Sequence, residues 1–174
     1  MAAQRFVEQL NAQIGNELAA HNQYLACAIH YDALTMPQTA ALFYGQALEE
    51  REHAMMMVQY LLDTDAAVEI PAVPASVSSF DGVVAPVELA LEQEKRVSDQ
   101  IFALVKTARE EDDYASEQFM QWFVKEQVEE VATMSDLLTI VQRNEDRIND
   151  IENYVAREQG GEAADPTAPR AAGA

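Results

Sequence analysis

The chain is 174 residues long, 49% apolar and only 7% aromatic, which suits a single domain with one continuous core. Its 30 acidic against 11 basic residues give a formal charge of −19, which disfavours nucleic acid and anionic membranes as partners and permits cations. Cys27 is the only cysteine, so an internal disulfide and a paired-cysteine zinc site are both excluded.

No stretch approaches the ~18 apolar residues of a membrane span. The segment MAAQRFVEQLNAQ lacks the apolar run of a secretory signal, so a cytoplasmic location is expected. Helical periodicity begins at about Gln4 and runs to Ala33, with Val7, Leu10, Ile14, Leu18, Leu25 and Ile29 on one stripe. Pro37 stands where a first-turn proline would open a second helix. The stripe of that helix is Phe43, Ala47, Glu50, Ala54, Met57 and Leu61. From about Thr64 to Ala85 the pattern breaks at Pro71, Pro74, Gly82 and a serine cluster, which predicts a long connection with VEIPAV as a short extended piece. A third helix starts at Pro86 and carries Val87, Leu91, Glu94, Ser98, Ile101 and Val105. EEDDY around Asp113 marks a solvated acidic turn. The fourth helix has Phe119, Phe123, Glu126 or Gln127, Glu130, Met134, Leu137 and Val141 in phase. Ile148, Ile151, Tyr154 and Val155 predict a short fifth helix over about Glu145 to Arg157. Residues 1–158 thus form one domain, and the Gly-, Ala- and Pro-rich 159–174 a disordered tail. Two short-loop helix pairs joined by one long crossover make an all-α, ferritin-like variant of the four-helix bundle.

Each long helix places an acid in its own apolar stripe: Glu17, Glu50, Glu94 and Glu130. An ionised carboxylate is almost never buried alone, because desolvation costs several kcal/mol. Four at once form a pattern. Glu17 lies 18 residues before Thr35 and Glu50 15 after it, while Glu94 lies 19 before Asp113 and Glu130 17 after. At ~1.5 Å per residue, antiparallel pairing brings all four to nearly one level.

The halves also repeat. Shifting the first by 77 residues puts Ile14 on Leu91, Glu17 on Glu94, Leu42 on Phe119 and Met57 on Met134. The repeat sets Glu50-x-x-His53 against Gln127-x-x-Glu130. Residues at i and i+3 share a helix face, so each pair presents two donors to one point. Carboxylates with an imidazole suit Fe, Mn or Zn.

NELAAHNQY at Asn16–Tyr24, EEREHA at Glu49–Ala54, the lone Glu94 and QWFVKEQVEEV at Gln121–Val131 together resemble the bacterial non-haem ferritins, over about Gln4 to Arg157. The resemblance implies a four-helix bundle with a short fifth helix, assembled as a homo-oligomeric hollow shell of 24 subunits. It implies a ferroxidase that oxidises Fe²⁺ with O₂ at a di-iron site and stores ferric mineral. By position, Glu17, Glu50 and His53 would hold one iron, and Glu50 would bridge to a second held by Glu94 and Glu130, with Gln127 beside it. Glu49, Glu126 and Glu129 match a third iron position. Tyr24 matches the family tyrosine that supports electron transfer. Haem is not expected, since Arg51 stands where bacterioferritins have the haem-binding Met and Glu130 where they have a second His. The alternative is a di-iron oxidase or peroxidase that stores no mineral. His21 and His30 read as capped or surface histidines, and Met55, Met56, Met57, Met120, Met134 and Trp122 as core or interface packing.

Overall fold

The computed structural model describes residues 2–158 and 165–173. Its helices are α1 (Gln4–Ala33), α2 (Pro37–Asp63), α3 (Ala85–Glu110), α4 (Tyr114–Arg143) and α5 (Ile148–Glu158). The first four form the bundle and α5 packs mainly on α2. Among the described residues there is no strand, so VEIPAV is irregular backbone, and no helix is long and apolar enough to cross a membrane.

Both hairpin turns are built alike. Thr35 (φ 60°) and Asp112 (φ 55°), which the 77-residue offset superimposes, each take the left-handed conformation after a helix. The next amide reaches back to a helix carbonyl, Met36 N to Tyr31 O at 3.0 Å and Asp113 N to Ala108 O at 2.8 Å. This closes the otherwise unsatisfied helix end. The helix starts then differ. Asp113 caps α4 itself, accepting from Ser116 N at 3.1 Å and from Ser116 Oγ at 2.6 Å. It also accepts from Ala3 N at 2.8 Å, so this residue of the acidic turn ties α1 to α4 rather than merely facing solvent. Met36 has no side chain that could cap α2, and Glu152 of α5 does so instead. Its carboxylate accepts from Gln38 N (2.8 Å), Thr39 N (2.9 Å) and Thr39 Oγ1 (2.6 Å). An anion at exposed N–H groups and the positive end of a helix is the favourable arrangement, and it docks α5.

The crossover lies along α1 and is held by side-chain amides. Asn11 donates to Ala67 O and accepts from Glu69 N (2.9 and 2.7 Å); Gln23 donates to Val77 O and accepts from Val77 N (both 2.9 Å). Tyr31 OH donates to Val83 O at 2.6 Å, and His30 lies 2.8 Å from Gly82 O. Gly15 is required by this packing, because a Cβ there would collide with the Pro71 ring.

The apolar core is divided in two. One cluster centres on Phe6, Leu10, Ile14, Met57, Ile101 and Met120, the other on Tyr31, Phe43, Val87, Met134, Leu137 and Ile151. Cys27 is buried in the second. The two are separate clusters because a polar layer interrupts every long helix in the middle of the bundle.

The tail departs from the expected disorder in part. Residues 159–164 and 174 lie outside the described residues. Residues 165–173 lie on the bundle, with Ala171 buried, Ala172 N donating to Met55 O at 3.0 Å, and Asp165 bonded to Trp122 and Lys125.

Candidate metal centre

The polar layer consists of Glu17, Glu50, His53, Glu94, Gln127 and Glu130, none more than 8% exposed. Each sits on the inward stripe of its helix, one or two turns from fully buried neighbours such as Ile14 and Ala54. Burial is therefore forced by helical phase and by the apolar residues on either side of each acid.

Glu17, Glu50 and His53 come closest together, each offering a ligand atom within 4.8 Å of the others. His53 Nδ1 stands 3.5 Å from Glu50 Oε2. One oxygen of Glu17, one of Glu50 and one of Glu94 have no hydrogen-bond partner despite complete burial. Such atoms carry a desolvation penalty that a bound cation would remove. The second hairpin contributes differently. Glu94 accepts a short hydrogen bond from Tyr24 OH, and Gln127 Oε1 accepts from Ser98 Oγ at 2.9 Å. Ser98 Oγ also lies 2.9 Å from Glu94 O.

The electrostatics follow from this crowding. Burial first, and then the charges of Glu17 and Glu94, push the Glu50 carboxyl well above the usual range. Glu130 rises likewise through burial, followed by the charges of Glu94, Glu49 and Glu126. Glu94 is pushed up to about 7, with burial outweighing the opposing hydrogen bond from Tyr24. Burial lowers His53, so its ring is neutral and able to offer a lone pair. Proton uptake by the carboxyls is the usual relief for such a group of like charges, and a divalent cation is the other.

The remaining candidates lie apart from this layer. Glu49, Glu126 and Glu129 line an acidic groove of about 460 Å³ between α2, α4 and α5. Glu130 lines it as well, so the groove reaches the buried acids from solvent. His21 and His30, both part-exposed, engage the backbone carbonyls of Ala47 and Gly82. Met56, Met57, Met120 and Met134 are buried in the core.

These features agree with comparison to known proteins. The family model of the ferritin-like domain matches residues 7–144. The chain is 50% identical over 169 residues to Ferritin BfrB of Mycolicibacterium smegmatis, covering 97% of this chain and 93% of that one. The chain belongs to the ferritin family. Its members store iron, and this ferritin is also 32% identical over 154 residues to a bacterial non-heme ferritin of Staphylococcus aureus, covering 88% and 93% of the two chains. The open pore ferritin from Archaeoglobus fulgidus superposes with a TM-score of 0.88 at 28% identity, over 93% of this chain and all of that one.

Within this ferritin, four residues that contact the polar layer escape a reading by ligand type. Gln13 Nε2 donates to Glu17 Oε1 at 2.9 Å, one helical turn before it. Ser98 links Glu94 to Gln127 and had a visible signal, a hydroxyl standing in an apolar stripe. Trp122 and Phe123 lie edge-on to His53, with ring centroids 5.6 and 5.8 Å away. Their only signal is aromatic character in the fourth helix, which packing explains equally well.

Proposed function

We propose that this ferritin is a ferroxidase subunit that oxidises Fe²⁺ with O₂ at a di-iron site inside its own bundle and stores the ferric product in a 24-subunit shell. The observation that carries the reading is the set of buried carboxylate oxygens without a hydrogen bond on Glu17, Glu50 and Glu94 beside a neutral His53. Glu17, Glu50 and His53 take one substrate Fe²⁺. Glu50 bridges to a second held by Glu94 and Glu130, with Gln127 alongside. Glu49, Glu126 and Glu129 take a third iron at the groove mouth.

Each Fe²⁺ gives up one electron, so a bridged pair delivers two to one O₂. Anionic oxygen donors favour the ferric product over the ferrous substrate, which drives the oxidation. Protons held by the raised carboxyls of Glu50 and Glu130 leave as the cations enter. Tyr24 stays protonated at neutral pH, because burial and then the charges of Glu94 and Glu50 raise it well above its ordinary value. Its hydrogen bond to Glu94 supplies a proton acceptor, so the phenol can yield an electron while its proton moves to a Glu94 oxygen.

Native mass measurement combined with aerobic iron loading tests the reading. A particle of about two dozen subunits that fills with iron is expected, and Glu50→Ala should slow the fast phase of oxidation by at least about 100-fold. A small particle that oxidises Fe²⁺ without retaining it would point instead to a di-iron oxidase. Unchanged kinetics in Glu50→Ala would remove the site assignment.

A further inference from the structure

The segment 165–173 holds the one tryptophan of the chain. Asp165 Oδ2 accepts from Trp122 Nε1 and from Lys125 Nζ, both at 3.2 Å. Its other oxygen accepts from Thr167 N (2.8 Å) and Thr167 Oγ1 (2.7 Å). The carboxylate is thus fully engaged, fixed by its own turn on one side and gripping α4 on the other. At the far end of the segment, Ala172 N bonds to Met55 O and Arg170 reaches Asp63 at 3.4 Å, both on α2. The segment therefore spans α4 and α2 on the side of the bundle where His53 lies, two residues before Met55. Trp122, held at the first anchor, meets His53 edge-on, with ring centroids 5.6 Å apart and an interplanar angle of 73°.

We propose that Asp165 is a positioning residue of the metal centre: by holding the indole N–H, it fixes Trp122 against His53 and so sets the plane of the imidazole toward Glu17 and Glu50. This rests on the reading of that layer as a metal centre. An imidazole ligand needs its ring orientation set by its surroundings, and loss of such support typically costs ~10–100-fold in metal affinity or activity. For His53, Glu50 is the partner on its own helix, and the Trp122 and Phe123 edges are the walls from α4. Trp122 is the wall with a handle, because its N–H can be grasped from outside the core. Lys125, also paired with Glu129 at 3.6 Å, supplies charge to Asp165.

The test uses the full chain, Co²⁺ as a redox-inert probe, and the emission of Trp122. In Asp165→Ala the emission maximum should move to longer wavelength as the indole loses its partner and gains water. Co²⁺ affinity should fall about 10-fold, and KM for Fe²⁺ should rise to match with kcat within about twofold. Asp165→Asn keeps an acceptor for the indole and should stay within about threefold of the parent. Trp122→Phe should match Asp165→Ala, and the double variant should be no worse than either. Arg170→Ala loosens the far anchor alone and should leave Co²⁺ affinity unchanged. Parent-like emission and affinity in Asp165→Ala would overturn the proposal. So would equal losses in Asp165→Ala, Asp165→Asn and Arg170→Ala, which would mark the segment as a mere brace. Glu50→Ala is the reference. If it abolishes Co²⁺ binding while Asp165→Ala does not weaken it, only the positioning role fails; if it too binds normally, the metal centre fails and the role with it.

Discussion

The two helix hairpins are copies of one plan, and they differ most where they meet the polar layer. The first hairpin presents Glu17, Glu50 and His53 with ligand atoms already within 4.8 Å of one another, with one oxygen of Glu17 and one of Glu50 lacking a hydrogen bond and the other Glu17 oxygen held by Gln13. The second presents Glu94, Gln127 and Glu130 at the repeated positions, with Tyr24 on one oxygen of Glu94, the other oxygen without a hydrogen bond, and Ser98 on Gln127. Both halves leave a buried carboxylate oxygen without a hydrogen bond, but among the described residues the first gathers three ligand atoms most closely, so under the proposed function it takes a cation first. Under the proposed function, an unequal pair of binding positions follows from two copies of one hairpin.

The strongest way to break the comparison is to remove a donor from each half. His53→Ala should weaken the first Co²⁺ equivalent by at least about 100-fold, whereas Glu130→Ala should spare the first equivalent and weaken the second, about 10-fold. Anaerobic calorimetric titration reads both, and equal losses of both equivalents in both variants would erase the asymmetry.

A smaller effect sharpens it through pH. Glu94 is raised to about 7 in the fold, against about 4.5 as a free side chain. A raised carboxyl favours folding below its unfolded value, and that contribution is lost as pH climbs through its folded value. In the metal-free protein, Glu94→Gln should therefore stabilise little at pH 4.5 and by roughly 3 kcal/mol at pH 8. Thermal denaturation across that window provides the measurement. A stabilisation independent of pH would mean that Glu94 keeps its charge in the fold. His53 works in the opposite direction, since burial lowers it and its contribution is lost as pH falls, so the comparison is made between variants at each pH.

The smallest effect lies in the turns. Thr35 and Asp112 share a left-handed backbone, but a β-branched residue tolerates it less well than an aspartate. Thr35→Gly should add about 1 kcal/mol of stability and Asp112→Gly less, as read by denaturant midpoints at constant slope. Equal gains would show that the two turns carry equal strain.

Much of this fold is legible in the residues. Pro37 marks the start of α2, the 3.6-residue stripes give the four long helices, and the acids interrupting those stripes mark the polar layer before any coordinates. The copy number of the plan is legible too, because the 77-residue offset extends as far as Thr35 and Asp112. What could not be read depends on partners distant in sequence. Glu152 caps a helix 113 and 114 residues away, through Thr39 and Gln38, so its role has no local signature. Asp165 lies in a stretch whose Gly, Ala and Pro content predicts disorder, yet it is held by Trp122, 43 residues earlier. Gln13 and Ser98 are polar residues of ordinary type, and only the neighbours they meet give them a part in the centre.

The most direct measurement is anomalous scattering at the iron edge from crystals of the assembled protein loaded anaerobically with Fe²⁺. The account predicts two peaks per subunit inside the bundle, the stronger between Glu17, Glu50 and His53, the weaker toward Glu94 and Glu130. Iron found only on the outer or groove surfaces, with none between those residues, would contradict it.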